Sequence, residues 1–347
     1  MKMNKKTLHI ANGEKFIPPF IDFVKENFDF NEHEFLLTKG MAQDNLITSE
    51  NIKLLSEETR TARFKHYVQI LTKMHQADNI ILHSLADHTI VKILFFTPWL
   101  LKKCYWVIWG GDLYVYRFGK RNRKWRVREF FRRSVIKNMG HLVTYIKGDI
   151  DLAREWYGAQ GEYHESIMYL SNIYKELDTL RSDSSRINIQ LGNSANSTNN
   201  HTEILEKLLP FKNENICIYV PLSYSDQNHA KKVIKIGKEL FGNKFIPLTE
   251  FMPFDEYLDF LGKIDIAIFN NTRQQALGNI ITLLGLGKTV YIRSDTTQWQ
   301  LFKEKDMKIY DTKDFQSLEN NYHKDNVDKI KKYFSKQTLI NQLSELF

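Results

Sequence analysis

Cysteine is scarce in this chain, with only two among 347 residues. Cys104 and Cys217 lie far apart in the sequence, and each sits inside an apolar, strand-like run. Disulfide frameworks depend on paired cysteines in an oxidising compartment, so this usage argues against one. We expect both residues to be buried thiols of a protein that works in a reducing compartment.

Long uninterrupted apolar runs are also missing. The most apolar long window, 89–108, contains Pro98 and three lysines, so it does not predict a membrane-spanning helix. The first residues, MKMNKKTLHIANG, carry charges but lack the apolar stretch of a secretory signal. Hydrophobic residues make up 42% of the chain and aromatic residues 13%, which excludes disorder as the overall class. These features predict a folded protein that is soluble or peripherally bound to a membrane.

Several catalytic signatures are absent. No His-Glu-x-x-His, Cys-x-x-Cys or Gly-x-Ser-x-Gly sequence occurs, so zinc hydrolases and serine hydrolases lose their main support. Asp149-Ile150-Asp151 has the spacing of an acidic pair that holds a divalent ion, but acids are also favoured at a helix start. We interpret His88 and His83 as spacers around a strand end rather than ligands, although His83 also suits the wall of a ligand cleft. We expect neither a metal nor a cofactor.

Positive charge is concentrated in one segment, although the net charge is only +8. Between Arg117 and Lys137 there are ten Lys or Arg residues and a single acid, Glu129, with aromatic residues interleaved. Such a helix suits an anionic membrane or a phosphate-bearing lipid, and a solvated basic helix is the plain alternative. Nucleic acid is not an expected partner, because no RNA-binding signature or zinc-finger spacing accompanies the segment. The residues expected to meet lipid phosphate are Arg117, Arg121, Arg123, Lys124 and Arg126.

Short β-branched or aromatic runs alternate with helix-period segments along the whole chain, which is typical of parallel α/β folds. A polar stretch at 171–186 interrupts the pattern, and the alternation then restarts. We predict two Rossmann-like domains facing a cleft, at 1–175 and 186–325, with a C-terminal helix at 326–347 packing back at their junction. Strands are predicted near 7–11, 34–38, 79–83, 105–109, 141–146 and 165–169, and near 187–191, 216–220, 244–247, 264–269, 289–292 and 307–310.

The string Val107-Ile108-Trp109-Gly110-Gly111-Asp112 ends one of these strands. Two glycines let backbone amides approach a ligand closely, because no Cβ stands in the way. A carboxylate beside such an opening is a candidate general base or an anchor for a polar ligand. An ordinary strand-to-turn connection explains the same residues. Gly110 and Gly111 are therefore candidate acceptor-binding residues, with Asp112 as the candidate catalytic group.

Four strand ends of the second half are polar. Gly192-Asn193-Ser194 opens a loop of small polar residues before a helix, which suits a diphosphate, although the same residue types are preferred helix caps. The second loop contains Ser223 and Tyr224, and the third places Glu250 beside an apolar surface that suits a base or ribose. The fourth runs from Arg273, which can bind phosphate in a bidentate manner, through Gln274 and Gln275 to Gly278 and Asn279.

The strings IWGGDLY, QLGNSANSTNNH, YVPLSY and FDEYLDFLGKIDIAIFNNTRQQALGN resemble the bacterial Fuc4NAc transferases. These enzymes, also described as 4-alpha-L-fucosyltransferases, act in the synthesis of enterobacterial common antigen. The likeness covers most of the chain and is densest from 187 to 300. It implies a GT-B glycosyltransferase that moves a 4-acetamido-4,6-dideoxyhexose from a dTDP-sugar to an undecaprenyl-diphosphate-linked oligosaccharide.

The resemblance also implies roles for residues. Gly192, Asn193 and Ser194 would meet the donor diphosphate, with Gln274, Gln275 and Gly278 nearby, and Asp112 would face the cleft. Enteric members tend to have Gly-Asp where this chain has Ala195-Asn196, and Gly-Thr where it has Gly278-Asn279. These departures leave the exact sugar and the glycan pathway open.

We expect the protein to lie on the cytoplasmic face of the inner membrane, held there by anionic lipid. Asp112 would act as the base if the reaction inverts the anomeric centre, and as a binding residue if it retains configuration. Two alternatives remain: a GT-B enzyme that uses another nucleotide sugar, such as a UDP-sugar transferase or an epimerase, and a non-catalytic nucleotide-sugar binding protein at the membrane.

Overall fold

The computed structural model describes residues 5–13, 16–38, 50–54, 60–177 and 186–347, without the side chains of 60–64. The chain forms two compact units, one made of Met1–Ser171 with Leu339–Phe347 and the other of Asn172–Thr338. The predicted connection at 171–186 lies partly outside the described residues. The last nine residues belong to the first unit.

The first unit is built on a seven-stranded parallel sheet. Its strands are β1 (Thr7–Ala11), β2 (His33–Leu37), β3 (Ile52–Leu54), β4 (Asn79–Leu82), β5 (Cys104–Val107), β6 (His141–Val143) and β7 (Glu162–His164). They lie in the order β3-β2-β1-β4-β5-β6-β7, the Rossmann order with one strand added. Its helices are α1 (Ile17–Asn27), α2 (Arg60–Gln76), α3 (His88–Phe96), α4 (Gly111–Phe118), α5 (Arg123–Lys137) and α6 (Lys147–Tyr157).

The second unit repeats this plan with six parallel strands. They are β8 (Ile187–Leu191), β9 (Ile216–Pro221), β10 (Phe245–Leu248), β11 (Ile266–Phe269), β12 (Thr289–Ile292) and β13 (Tyr310–Asp311), in the order β10-β9-β8-β11-β12-β13. The helices are α7 (His201–Leu208), α8 (Gln227–Phe241), α9 (Phe254–Gly262), α10 (Leu277–Gly285), α11 (Thr297–Glu304) and α12 (Lys324–Tyr333). A last helix, α13 (Lys336–Leu346), leads back into the first unit.

The central strands are apolar because helices cover both faces of a parallel sheet. All five residues of β1 and all four of β11 are buried. Cys104 and Cys217 are buried free thiols, as predicted. The α/β fold with two Rossmann-like halves is thus confirmed.

One predicted strand was wrong. The run 165–169 is not a strand, and the last strand of the first sheet is β7, just before it. Ile167, Met168 and Tyr169 are buried, so the run has the apolar composition of a strand. Met168, however, has a φ of 64°, which breaks the extended conformation. The apolar pattern of this run correctly predicted burial, but its prediction of an extended backbone was wrong.

Three buried histidines of the first unit form a hydrogen-bonded chain. His9 lies 3.1 Å from His83 through its Nδ1 and 3.0 Å from His33 through its Nε2. His83 Nδ1 lies 2.6 Å from the hydroxyl of Tyr169, which accepts the indole N–H of Trp109 at 2.9 Å. The Tyr169 hydroxyl can donate to His83 or accept from it, and each contact between two rings holds a single proton. Two neighbouring rings cannot both be charged, because their N–H groups would then face each other.

We predict that acid destabilises the first unit through these rings. Burial lowers the pKa of His9, lowers that of His33 to about 4 and lowers that of His83 to about 3. The pKa of each ring falls on folding. The rings therefore contribute fully to the free energy of unfolding above pH 6.5, and this contribution is lost as the pH drops toward 4. The expected loss is about 1.4 kcal/mol of unfolding free energy per pH unit for each such ring.

Urea unfolding followed by tryptophan fluorescence measures this loss, since five of the six tryptophans lie in the first unit. In a His33→Asn variant, the free energy of unfolding should fall less steeply between pH 6.5 and 5, because one of the three rings no longer contributes. An identical pH slope in the variant and the parent would refute the assignment.

Candidate active site

The turn after β5 is held by the carboxylate of Asp112. Gly110 has a φ of 73°, a conformation that favours glycine, and α4 begins at the next residue. Asp112 is only 6% exposed. Its Oδ2 accepts the Leu85 N–H at 2.9 Å and the Trp106 indole N–H at 2.7 Å. Its Oδ1 accepts the Trp109 N–H at 3.0 Å. The carboxylate therefore ties the residues after β4, strand β5 and the turn into one rigid corner.

Arg132 fixes the same corner from α5. Its guanidinium donates to the carbonyl of Leu85 at 2.5 Å and to the carbonyl of Asp112 at 2.6 Å, and it pairs with Glu129 at 3.0 Å. Arg132 and Glu129 are both buried. The one acid of the basic segment thus neutralises the one arginine that the fold turns inward.

The two predicted acceptor glycines differ in their surroundings. Gly110 is buried in the turn, whereas Gly111 is exposed and has open space where a Cβ would stand. His83 is almost fully buried and bonded through both ring nitrogens. Its contacts make it a support for Tyr169 and Trp109 rather than a surface for a ligand.

In the second unit, the predicted loops after β8 and β11 lie at the point where the strand order reverses. Ligands of such sheets bind beyond the carboxyl ends of the strands at this point. Gly192 has a φ of 68°, and a Cβ there would lie 2.7 Å from Asn199 Oδ1. Asn199, which is fully buried, accepts the Asn193 N–H at 3.2 Å and an Asn271 N–H at 3.0 Å. It also donates to the Ser194 carbonyl at 3.1 Å, so one amide shapes both loops.

Gln275 and three other predicted donor-side residues form one polar cluster. Its Nε2 donates to Asn193 Oδ1 at 3.0 Å and lies 3.2 Å from Ser194 Oγ. Asn193 in turn donates to the hydroxyl of Tyr224 at 3.0 Å. The backbone N–H of Gln275 is held by Gln298 Oε1 at 2.9 Å. The cluster is neutral and hydrogen-bonded, which suits recognition of a charged ligand by dipoles set in advance.

The family model described as 4-alpha-L-fucosyltransferase, glycosyl transferase group 56, matches residues 20–339. The chain belongs to this family. The resemblance to Fuc4NAc transferases is thereby confirmed, and the protein is a glycosyltransferase that transfers a hexosyl group. Membership implies a nucleotide-sugar donor and a glycan acceptor.

Solved structures support the same architecture. A glycosyltransferase from Rickettsia africae has a TM-score of 0.69 at 13% identity, with 99% of this chain and 98% of that chain covered. WaaG, a glycosyltransferase involved in lipopolysaccharide biosynthesis, has a TM-score of 0.61 at 10% identity and 98% coverage of both chains. Anabaena HepE, solved with UDP and glucose, has a TM-score of 0.67 at 9% identity and the same coverage. The fold of this glycosyltransferase is GT-B.

The other predicted donor residues lie around the cluster with contacts of their own. Asn279 donates to the hydroxyl of Tyr257 at 2.8 Å, and Arg273 donates to the carbonyl of Gln274 at 3.0 Å. The Gly278 carbonyl accepts a bond from a threonine one turn later in α10. Ser223 is half-buried, and Glu250 is exposed next to Phe251, whose ring is 74% exposed.

Sequence reasoning missed three residues that organise this region. Asn199 stood inside a predicted loop but carried no special signal among its polar neighbours. Tyr257 and Gln298 lie on α9 and α11, whose residues reach the loops only through tertiary packing.

A cavity of about 670 Å³ at the β12–β13 edge, lined by Tyr310 and Asp311 among others, contains none of the predicted donor residues.

The acidic pair Asp149 and Asp151, which has the spacing of a metal site, differs in burial. Asp149 is fully buried and accepts the hydroxyl of Tyr114 at 3.2 Å, whereas Asp151 is exposed. Side chains on opposite sides of the helix surface do not present oxygens to one ion. The preferred interpretation, acids at a helix start, agrees with the position of Asp149 in the first turn of α6.

The five predicted lipid-phosphate residues all lie on the surface. Arg117 is near the end of α4, Arg121 lies between α4 and α5, and the other three lie in the first turn of α5. Arg121 is placed over the Trp125 ring, 4.7 Å from its centroid. The basic segment therefore has one inward cation, Arg132, and an outward set available to a partner.

We predict that Asp112→Asn weakens folding as well as turnover. Asparagine offers a single oxygen, so its NH2 group would face an N–H donor and leave buried donors without an acceptor. The expected loss is about 2 to 4 kcal/mol of unfolding free energy, measured by urea denaturation alongside the transfer rate.

Asp87→Asn is the matched control. Asp87 caps α3 by accepting the Thr89 N–H at 2.8 Å, and asparagine caps helices equally well. Unchanged stability of Asp112→Asn together with a collapse of turnover would instead identify Asp112 as the general base.

Proposed function

We propose that this glycosyltransferase moves a 4-acetamido-4,6-dideoxyhexose from a dTDP-sugar to an undecaprenyl-diphosphate-linked oligosaccharide. The reaction would serve synthesis of a surface polysaccharide resembling enterobacterial common antigen. The family supports glycosyl transfer, and the resemblance of the donor-side strings to Fuc4NAc transferases supports this sugar and acceptor.

The polar cluster around Gln275, at the strand-order reversal of the second unit, supports this proposal. Asn193, Ser194 and Gln275 are held by one another and by Asn199 in a single arrangement. Their two loops lie beyond the carboxyl ends of β8 and β11, where a diphosphate is expected. Arg273 lies just before α10, whose first turn carries no acid, so a guanidinium and a helix dipole would both stabilise the leaving dTDP.

Asp112 has a different part in this proposal from the one that the sequence suggested. Its two oxygens already accept three N–H donors, and its side chain is buried. We assign it to positioning of the Trp109 to Gly111 turn. Gly111, exposed and without a Cβ, is then the part of the turn that the acceptor sugar would approach most closely.

We predict turnover of dTDP-4-acetamido-4,6-dideoxygalactose with an undecaprenyl-diphosphate-linked acceptor, detected as released dTDP and a longer lipid-linked glycan. Gly192→Ala should lose at least about tenfold in donor affinity, because a Cβ at positive φ would press on Asn199. Binding of dTDP, measured as a thermal shift, reports the same loss without acceptor.

Gly158→Ala is the control for backbone strain. Gly158 has the same φ of 68°, but a Cβ there meets nothing within 4 Å. It should retain dTDP binding. Stronger stabilisation by UDP or GDP than by dTDP would contradict the donor assignment, and nucleotide binding without transfer to any lipid-linked glycan would favour a non-catalytic binding protein.

We also propose that the first unit docks on the cytoplasmic face of the inner membrane. Among the described residues, no helix has the length and apolar content needed to cross a bilayer. The exposed cations of α5 lie beside exposed aromatic rings: Phe130 is 65% exposed and Phe96, at the end of α3, is 69% exposed. Phe95 contacts both rings, so the apolar surface is continuous from α3 to α5. Cations beside exposed aromatic side chains are typical of surfaces that bind anionic lipid.

Charge reversal tests this surface. The triple variant Arg121→Glu, Arg123→Glu, Arg126→Glu should no longer sediment with phosphatidylglycerol vesicles, since each cation near such a surface contributes about 1 kcal/mol. Reversal of Lys231, Lys232 and Lys235, three exposed lysines of α8, makes the same change in net charge in the other unit. Equal release of both variants would show that total charge, and not this surface, governs binding.

A further inference from the structure

A cluster of two histidines and one glutamate lies at the β6–β7 edge of the first sheet. His141 is the first residue of β6, and it pairs with Glu162, the first residue of β7. His164 follows Glu162 by two residues, so all three side chains emerge on one face of the sheet. This cluster has no part in the donor-side or acceptor-side residues described above.

The three ligand atoms are spaced like the donors around a small cation. His141 Nδ1 and His164 Nε2 are 2.9 Å apart, and Glu162 Oε2 lies 3.7 Å from the first and 3.9 Å from the second. The centre of a triangle with these sides is about 2.1 Å from each atom, and Zn–N and Zn–O bonds are about 2.0 to 2.2 Å long. The atoms would have to move little to share one ion.

We propose that His141, Glu162 and His164 form a site for a divalent transition metal, with Zn²⁺ as the favoured occupant. Two imidazoles and one carboxylate suit zinc better than magnesium or calcium, which prefer all-oxygen surroundings. Three protein ligands leave one position of a tetrahedral ion for water. Glu162 is 71% exposed, so an ion reaches the site directly from solvent.

The surroundings hold the ligands in place. The Tyr105 ring stacks on His141 with centroids 4.0 Å apart and an interplanar angle of 9°. Both histidine side chains are only 20% exposed. A cation here would cross-link β7, the edge strand, to its neighbour β6.

Isothermal titration of the full-length, untagged, chelator-treated protein with ZnCl2 tests the proposal. We expect one equivalent to bind with a micromolar or tighter Kd, and the first unit to melt at a higher temperature with Zn²⁺ than without it. His164→Ala should weaken binding by about 100-fold or more, and Glu162→Gln by about 10-fold or more. Glu162→Gln alters one exposed oxygen, so the fold is retained in at least this variant.

His229→Ala is the matched control. His229 and His201 lie 3.2 Å apart through their ring nitrogens, but no carboxylate oxygen completes a triangle with them among the described residues. Its zinc affinity should equal that of the parent. The absence of stoichiometric binding, or equal losses in His229→Ala and His164→Ala, would overturn the proposal.

Discussion

The first unit depends on one buried carboxylate. Asp112 accepts N–H groups from Leu85, which follows β4, and from Trp106 and Trp109, which lie in β5 and in the turn after it. A buried N–H without an acceptor costs about 1 to 3 kcal/mol of folding free energy. Any movement of the carboxylate away from one donor is therefore opposed by its bonds to the other two. Arg132 adds bonds to the carbonyls of Leu85 and Asp112 and is neutralised by Glu129. The Gly-Gly turn is rigid because a complete set of partners surrounds it.

The polar cluster of the second unit is held in place without charged side chains. Asn199 both accepts and donates within the loops after β8 and β11, and Gln275 completes the cluster from the loop just before α10. Neutral amides can satisfy one another in the absence of ligand, whereas a cluster of cations would repel itself. A diphosphate supplies the negative charge only when it binds. The loops therefore keep their shape when empty and need little rearrangement when occupied.

The sequence was informative wherever a pattern is local. Polar residues at the ends of apolar runs located the loops after β8 and β11, because parallel strands bring their carboxyl ends to one edge. The positive φ of Gly110 and Gly192 agrees with their places directly after strands. The sequence could not show that Asn199 is the organising amide, since that depends on Asn271, 72 residues away. Nor could it exclude 165–169 as a strand, because burial and strand pairing leave the same apolar pattern.

Helical periodicity explains why the basic segment divides into two roles. Glu129, Arg132, Val135 and Ile136 are spaced by three or four residues, so they share the buried face of α5. An arginine on that face needs a partner, and Glu129, three residues earlier, is the only acid in the segment from Arg117 to Lys137. The remaining cations have no acid in the same segment to neutralise them. The residue that completes the corner around Asp112 thus comes from the same helix that presents a positive face outward. A change in the packing of α5 would therefore shift the Gly-Gly turn, because Arg132 donates hydrogen bonds to the carbonyls of Leu85 and Asp112.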